Sequence, residues 1–222
     1  DGGPDVFYLI PDMMTQFAEK GVLGKFDELL GKDFDFKDFT ETSMEAVTYD
    51  GHIYGLPILR TVETMYYNTD ILKEVGGDPE KLPTTWAEFN ALADKAVEKG
   101  YYARNFEGGN TLNSTLYPYI WQAGGDIIKG KDEVVINSAN SVKAFEEVMR
   151  QYKAGYFPED AINGPDHSPY FLEGKMLAVS AAATMVNVAA DAGFENYVIG
   201  PPLENTTYGT TGMFVVNAKS PN

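Results

Sequence analysis

Residues 49–68, reading YDGHIYGLPILRTVETMYYN, constrain the fold more than any other stretch of the chain. Asp50-Gly51 predicts a tight two-residue hairpin turn, because both residues tolerate a positive φ. His52 to Leu56 reads as a strand, and Pro57 pushes Leu56 toward extended geometry. From Ile58 to Tyr67, apolar, β-branched and aromatic residues flank a polar middle of Arg60, Thr61, Glu63 and Thr64. A single strand within one sheet rarely runs so long. A strand that leaves one lobe and enters another does, and its polar middle then lies in a cleft.

The rest of the chain alternates strand and helix signals, as α/β sandwiches do. Asp5 to Ile10 reads as a strand, and Met13 to Lys20 as a helix closed by Gly21. Phe26, Leu29 and Leu30 continue the apolar packing, while Phe34, Phe36 and Phe39 alternate with charges in a loop-like region. Thr85-Trp86-Ala87-Glu88 is a capping box. It opens a helix with Trp86, Phe89, Leu92, Ala96 and Val97 on one face and Gly100 as its stop. A second helix is expected from Ser141 to Ala154, with Val142, Phe145, Val148, Met149 and Tyr152 inward. Val134 to Ile136, Met176 to Ser180 and Tyr197 to Gly200 read as buried strands. No internal repeat or low-complexity tract is visible.

Bulk properties narrow the function classes. A net charge of −16 opposes binding to nucleic acid and to anionic membrane surfaces. It serves as a solubilising surface, or attracts cationic ligands such as polyamines. The absence of cysteine excludes disulfides, thiolate metal sites and cysteine nucleophiles. No apolar run has membrane length. The two histidines, His52 and His167, lie near no nucleophile-elbow serine, and no P-loop or EF-hand spacing occurs. Neither catalysis nor a cofactor is expected.

A sugar fits the residue types better. Its hydroxyls need planar hydrogen-bonding groups and its C–H faces pack on aromatic rings. Four places supply these. Asp12 follows the C-terminal end of a strand, where open α/β sheets bind ligands, or else caps the helix. Arg60, Thr61 and Glu63 form the polar crossing; Thr61 and Glu63 share one strand face, while Arg60 and Val62 share the other. A surface pair between Arg60 and Glu63 is the plainer alternative. Asn113, Tyr117 and Trp121 recur at four-residue steps on one helical face, with Pro118 near the helix start and Asn113 or Ser114 as cap; a core position is the equal alternative for Trp121. Thr184 and Asn187, with Met185 between them, follow a strand in the run AAATMVN, which lacks aromatics.

The same stretches carry a family resemblance. DGHIYGLP at 50–57 followed by Tyr66-Tyr67-Asn68-Thr69-Asp70, PDVFYL at 4–9, PTTWAEF at 83–89, QAGGD at 122–126, FLEGKMLA at 171–178 and NAKSPN at 217–222 occur in register. Together they resemble the extracellular solute-binding proteins of ABC importers, in the sugar-receptor branch that includes maltose-binding protein. The resemblance implies an α/β, two-lobed periplasmic-binding-protein-like fold of type II, each lobe a sheet flanked by helices, with the first lobe incomplete. It divides the chain into part of a first lobe (1–59), a hinge crossing (60–63), a second lobe (64–208), and a second crossing with return to the first lobe (209–222). It also implies a fragment lacking parts of both ends, and a monomer located outside the cell, lipid-anchored or periplasmic. Its partners would be a sugar or oligosaccharide and the transmembrane subunits of a permease. Asp12 falls on a sugar-contacting aspartate, Thr61 on a ligand glutamate that Glu63 is close enough to replace, and Tyr117 on a stacking aromatic. Leu9 and Met13 replace a tryptophan and an arginine of the family pattern, so the sugar's identity stays open. Tyr66-Tyr67 is similar to tyrosine pairs that hold ferric ion in related receptors, but neighbours on a strand point to opposite faces. A polyamine or ferric ligand, or a carbohydrate-active enzyme, are the alternatives.

Overall fold

The computed structural model describes residues 3–31, 33–130, 132–163, 166 and 168–221 of the chain. His167 and Asn222, named above, lie outside these. The chain separates into two compact units, Asp1–Thr61 with Gly209–Asn222, and Val62–Tyr208. In order, its elements are β1 (Val6–Leu9), α1 (Pro11–Glu19), α2 (Phe26–Leu29), α3 (Glu41–Val47), β2 (Thr48–Tyr49), β3 (His52–Ile53), β4 (Leu56–Val62), β5 (Thr64–Asn68) and α4 (Thr69–Glu74). There follow α5 (Trp86–Glu98), β6 (Tyr102–Arg104), α6 (Leu112–Gln122), β7 (Ile128–Lys129), β8 (Glu133–Val134) and α7 (Ala139–Lys153). The last are α8 (Ser168–Leu172), β9 (Met176–Ala181), α9 (Met185–Asp191), β10 (Tyr197–Gly200) and β11 (Gly209–Val216).

In the first unit the strands order as β1-β11-β4, with Val6 opposite Val216 and Leu9 opposite Met213 in an antiparallel pair. One face of this sheet packs on α1 and α3 through Leu9, Met14, Ala18, Val47, Met213 and Val215. The residues between them, Val6, Tyr8 and Phe214, are exposed, the period-2 signature of a sheet covered on one side. The β2–β3 hairpin turns at Asp50 (φ 49°) and Gly51 (φ 78°), the left-handed pair that the Asp-Gly dipeptide predicts. Pro57 sits on β4, at an edge of the described sheet, where a missing N–H is tolerated.

In the second unit the order is β10-β5-β9-β6, with β5 antiparallel to both neighbours and β6 parallel to β9. Both faces are covered. Tyr67 enters the larger cluster with Phe89, Ile120 and Leu177, and Tyr66 enters a separate one with Phe171, Met176 and Val179. The long extended segment is therefore two strands, broken at Glu63. Asn68 ends β5 by turning its buried side chain onto the backbone N–H groups of Asp70 and Ile71, at 3.0 and 3.1 Å, which starts α4.

Three expectations change. The α7 face that is buried is Ser141, Ala144, Val148 and Gln151; Val142, Phe145, Met149 and Tyr152 are exposed. The physical reason is close approach: a Cβ on Gly125 would lie 2.7 Å from Ser141 Oγ, so α7 meets the end of α6 through small residues. Gln151 is drawn inward by the Tyr119 hydroxyl, which donates to it at 2.6 Å. The Val134 region is not a buried strand but half of an exposed hairpin, β7–β8, outside the main sheet. The capping box is also altered: Thr85 accepts from Glu88 N–H, but the Glu88 carboxylate accepts from Thr84 N–H at 2.8 Å.

Candidate functional site

Helix α6 carries the richest set of sequence-predicted residues. It starts at Leu112, with Thr111 in the N-cap position making no side-chain cap, so neither Asn113 nor Ser114 caps it and Pro118 lies well inside. Pro118 is buried and removes one backbone donor, as a proline in a helix interior must. Asn113, Tyr117 and Trp121 are all half-buried and share one side of the helix. Tyr117 and Trp121 meet edge to face with ring centroids 5.7 Å apart, and the Trp121 indole N–H points to Asp126 at 3.4 Å. Asn113 Nδ2 donates to the Tyr208 hydroxyl at 3.2 Å.

Glu63 forms the second part of the site, in the same unit. Its backbone N–H donates to Tyr208 O at 2.9 Å, and its carboxylate accepts from Ser180 Oγ at 3.1 Å. Ser180 is held in turn by Asn105, whose amide oxygen accepts from Ser180 N–H at 2.9 Å while its Nδ2 donates to Ser180 O at 3.1 Å. Burial pushes the Glu63 carboxyl up to about 7; Ser180 opposes that shift, Glu107 adds to it and Arg104 opposes it. The Glu63 carboxyl thus titrates in the neutral range, where it changes from hydrogen-bond donor to pure acceptor. A small cavity in the same unit is lined by Thr64, Arg104, Gln122, Ser180 and Thr207, with Met65 and Pro118 supplying apolar walls.

The other predicted residues are placed as follows. Thr184 precedes α9 without capping it, and Asn187 lies on α9; both are exposed. Asp12 is exposed in the first turn of α1, whose N-cap is Ile10 with Pro11 next, so the capping role is excluded. Arg60 is exposed and Thr61 half-buried on β4. Tyr66 and Tyr67 cannot chelate one ion, because they enter separate clusters on opposite faces of the sheet. Sequence reasoning missed Arg104, Asn105, Ser180 and Tyr208. Arg104 and Asn105 follow from strand β6, which was not foreseen because Tyr102–Arg104 is too short for a period-2 signal.

A mixed, helix-covered sheet in one unit and a strand-linked α/β partner unit define the class of two-lobed periplasmic-type binding proteins. An ABC substrate-binding protein from Listeria monocytogenes, solved in complex with cycloalternan, superposes with a TM-score of 0.84 at 23% identity, covering 99% of this chain and 58% of that one. The family model for bacterial extracellular solute-binding proteins matches residues 1–222, and the chain belongs to that family. The maltotriose-binding protein of Pyrococcus abyssi is 33% identical over 218 residues, covering 82% of this chain and 48% of that protein. The galactooligosaccharide-binding protein of Bacillus subtilis is 27% identical over 221 residues, 91% of this chain and 48% of its own. The chain thus spans about half the length of these relatives. Among the described residues, no helix is long and apolar enough to cross a membrane.

Proposed function

We propose that the chain is part of the extracellular receptor of an ABC importer, which captures a sugar or oligosaccharide and delivers it to a membrane permease without covalent chemistry. The observation that carries this reading is the grouping of Asn113, Tyr117, Trp121 and Glu63 in one unit. Asn113 and Glu63 meet on the same residue, Tyr208, through its hydroxyl and its carbonyl. Amide, carboxylate and phenol offer directional hydrogen bonds to hydroxyls, and the Tyr117–Trp121 pair offers an aromatic surface to C–H faces. Family membership and the sugar-named relatives support the same ligand class. In this reading Asp12, Arg60, Thr61, Thr184 and Asn187 are secondary contacts. Residues 60–63 and 210–213 serve as hinges, and the receptor acts as a monomer held at the cell surface by a lipid anchor or free in a periplasm.

The test is isothermal titration of the chain with maltose, maltotriose, galactobiose and longer oligomers, with spermidine and ferric citrate as the competing ligand classes. A sugar is expected to bind in the micromolar range or tighter, and to reduce the radius of gyration in small-angle scattering. Binding of spermidine or iron with no response to any sugar would overturn the reading.

A further inference from the structure

Arg104 is the least expected side chain of the second unit. It ends β6 and is 5% exposed, with its guanidinium carbon 5.0 Å from the Tyr119 ring centre and 5.8 Å from that of Phe89. The rings hold the cation in place but do not neutralise it. The ion pairs among the described residues join Lys25, His52, Lys99, Arg150 and Lys175 to carboxylates and leave Arg104 out. Its Nε–H also finds no acceptor among the described residues. A buried charge without a partner is costly, so this donor is suited to an acceptor from outside the chain.

Arg104 lines a cavity of about 10 Å³, enough for one oxygen-sized group. Every wall residue belongs to the second unit. Thr64 begins β5, Ser180 lies near the end of β9, and Arg104 ends β6, which runs parallel to β9. The cavity therefore sits at the carboxyl ends of the two parallel strands, the edge where open α/β sheets take ligands. It shares two segments with the candidate sugar site. Pro118 and Gln122 on its wall directly follow Tyr117 and Trp121 on α6, and Thr207 directly precedes Tyr208, which receives Asn113. The other polar walls are engaged: Ser180 donates to Glu63, Thr64 to Gly200 O, and Gln122 accepts from Trp86 and donates to Thr206 O. What enters must therefore accept a hydrogen bond and carry negative charge. A carboxylate can insert a single oxygen there, whereas a phosphate brings three that need donors.

We propose that this cavity is a carboxylate subsite: the ligand is an acidic sugar, a uronate or an oligomer carrying one, whose carboxylate places an oxygen against the Arg104 guanidinium. It rests on the sugar-receptor reading only for the sugar that carries the carboxylate. A water in the same place would satisfy one donor but leave the buried charge unpaired. The net charge of −16 repels anions at a distance, so the site depends on short-range pairing, which salt screens little when buried. Glu63 accepts from Ser180 but does not line the cavity. Burial pushes its carboxyl up to about 7, so below neutral pH it adds little opposing charge.

The experiment follows the Arg104 Nε–H resonance of the wild-type chain by NMR at about pH 6, where a uronate is ionised. The additions are D-galacturonate, D-glucuronate, a galacturonate trimer, the neutral methyl esters of all three, and acetate. Titration calorimetry on wild type, Arg104→Gln and Arg104→Lys gives the affinities. At least one acid is expected to shift the resonance saturably and to bind about tenfold or more tighter than its ester, the worth of one charge-assisted hydrogen bond. Arg104→Gln is expected to bring that acid down to the affinity of its ester, and Arg104→Lys to keep part of the preference. Acids that bind no tighter than their esters, or that saturate the protein with the Nε–H resonance unmoved, overturn the subsite. Should Arg104→Gln fail to fold, the wild-type comparison of acid with ester still decides. Acetate separates the subsite from the receptor reading. If no sugar binds, acidic or neutral, the receptor reading falls; a saturable acetate shift of the Nε–H resonance then still supports the carboxylate subsite, and its absence overturns that too.

Discussion

The two units handle polar groups in opposite ways. The first covers its sheet on one face and keeps its charges outside: Asp27, Glu28, Lys25 and His52 form a surface network, with His52 Nδ1 2.9 Å from Asp27 and its Nε2 3.2 Å from Lys25 Nζ. The second covers both faces of its sheet and draws Arg104, Asn105, Gln151 and Asn68 inside. Water screens the first network, so each contact there stabilises little. In the second unit every buried polar group needs a partner, and burial itself moves the Glu63 carboxyl into the neutral range. Polar chemistry worth titrating therefore belongs to the better-packed unit.

The strongest way to break this comparison is through packing. Phe89→Ala empties a fully buried position beside Tyr67 and Arg104, and is expected to cost the second unit about 3–5 kcal/mol in urea unfolding. Tyr8→Ser, on the open face of the first unit's sheet, is expected to stay within about 0.5 kcal/mol. Equal costs would show that the two sheets are covered alike.

Glu63→Gln comes next. The Glu63 carboxyl titrates near 7 when folded, above its ordinary 4.5, because burial disfavours the charge. Its contribution to stability is therefore complete below about 4.5 and is lost as pH rises through about 7. Removing the charge is expected to raise stability above pH 7, by at most about 3 kcal/mol, and to leave it little changed at pH 4. Thermal melts of both proteins across that window measure it; a gain confined to acid pH would reverse the assignment.

Tyr117→Ala tests the same unit as a binding surface. Sugar affinity is expected to fall roughly tenfold, about 1.4 kcal/mol, with the fold retained by circular dichroism. The smallest effect belongs to the first unit. Burial is the largest single influence on the Asp27 carboxyl and raises it, but the His52 contact and the backbone N–H groups of Ile53 and Asp27 together outweigh it and hold the carboxyl below its ordinary value. That stabilisation is present above the ordinary aspartate pKa and lost as pH falls through the lowered one. Asp27→Asn is expected to cost under about 1 kcal/mol at neutral pH, less in high salt, as denaturant midpoints at two ionic strengths would show.

Local chemistry made much of this legible from the sequence. The Asp50-Gly51 turn, the helix opened by Thr85 and the stops at Gly21 and Gly100 follow from backbone sterics and capping, which need only near neighbours. The six motifs in register named the family because each marks such a local constraint. Burial was less legible wherever two elements had to meet. Val142, Phe145, Met149 and Tyr152 form a strong apolar stripe, yet α7 turns Ser141, Ala144, Val148 and Gln151 inward. The candidate site divides the same way: helical spacing found Asn113, Tyr117 and Trp121, whereas their neighbour Tyr208 lies 95 residues beyond Asn113 in sequence.

By itself the sequence determined the local elements, the α/β class and the family, because turn, cap and periodicity are set by residues within a few positions of one another. Only the tertiary structure decided which polar groups are buried together. Glu63 meets Ser180 across 117 residues, and Arg104 is fixed by rings from α5 and α6. Desolvation depends on everything packed around a group, and no stretch of chain carries that information alone.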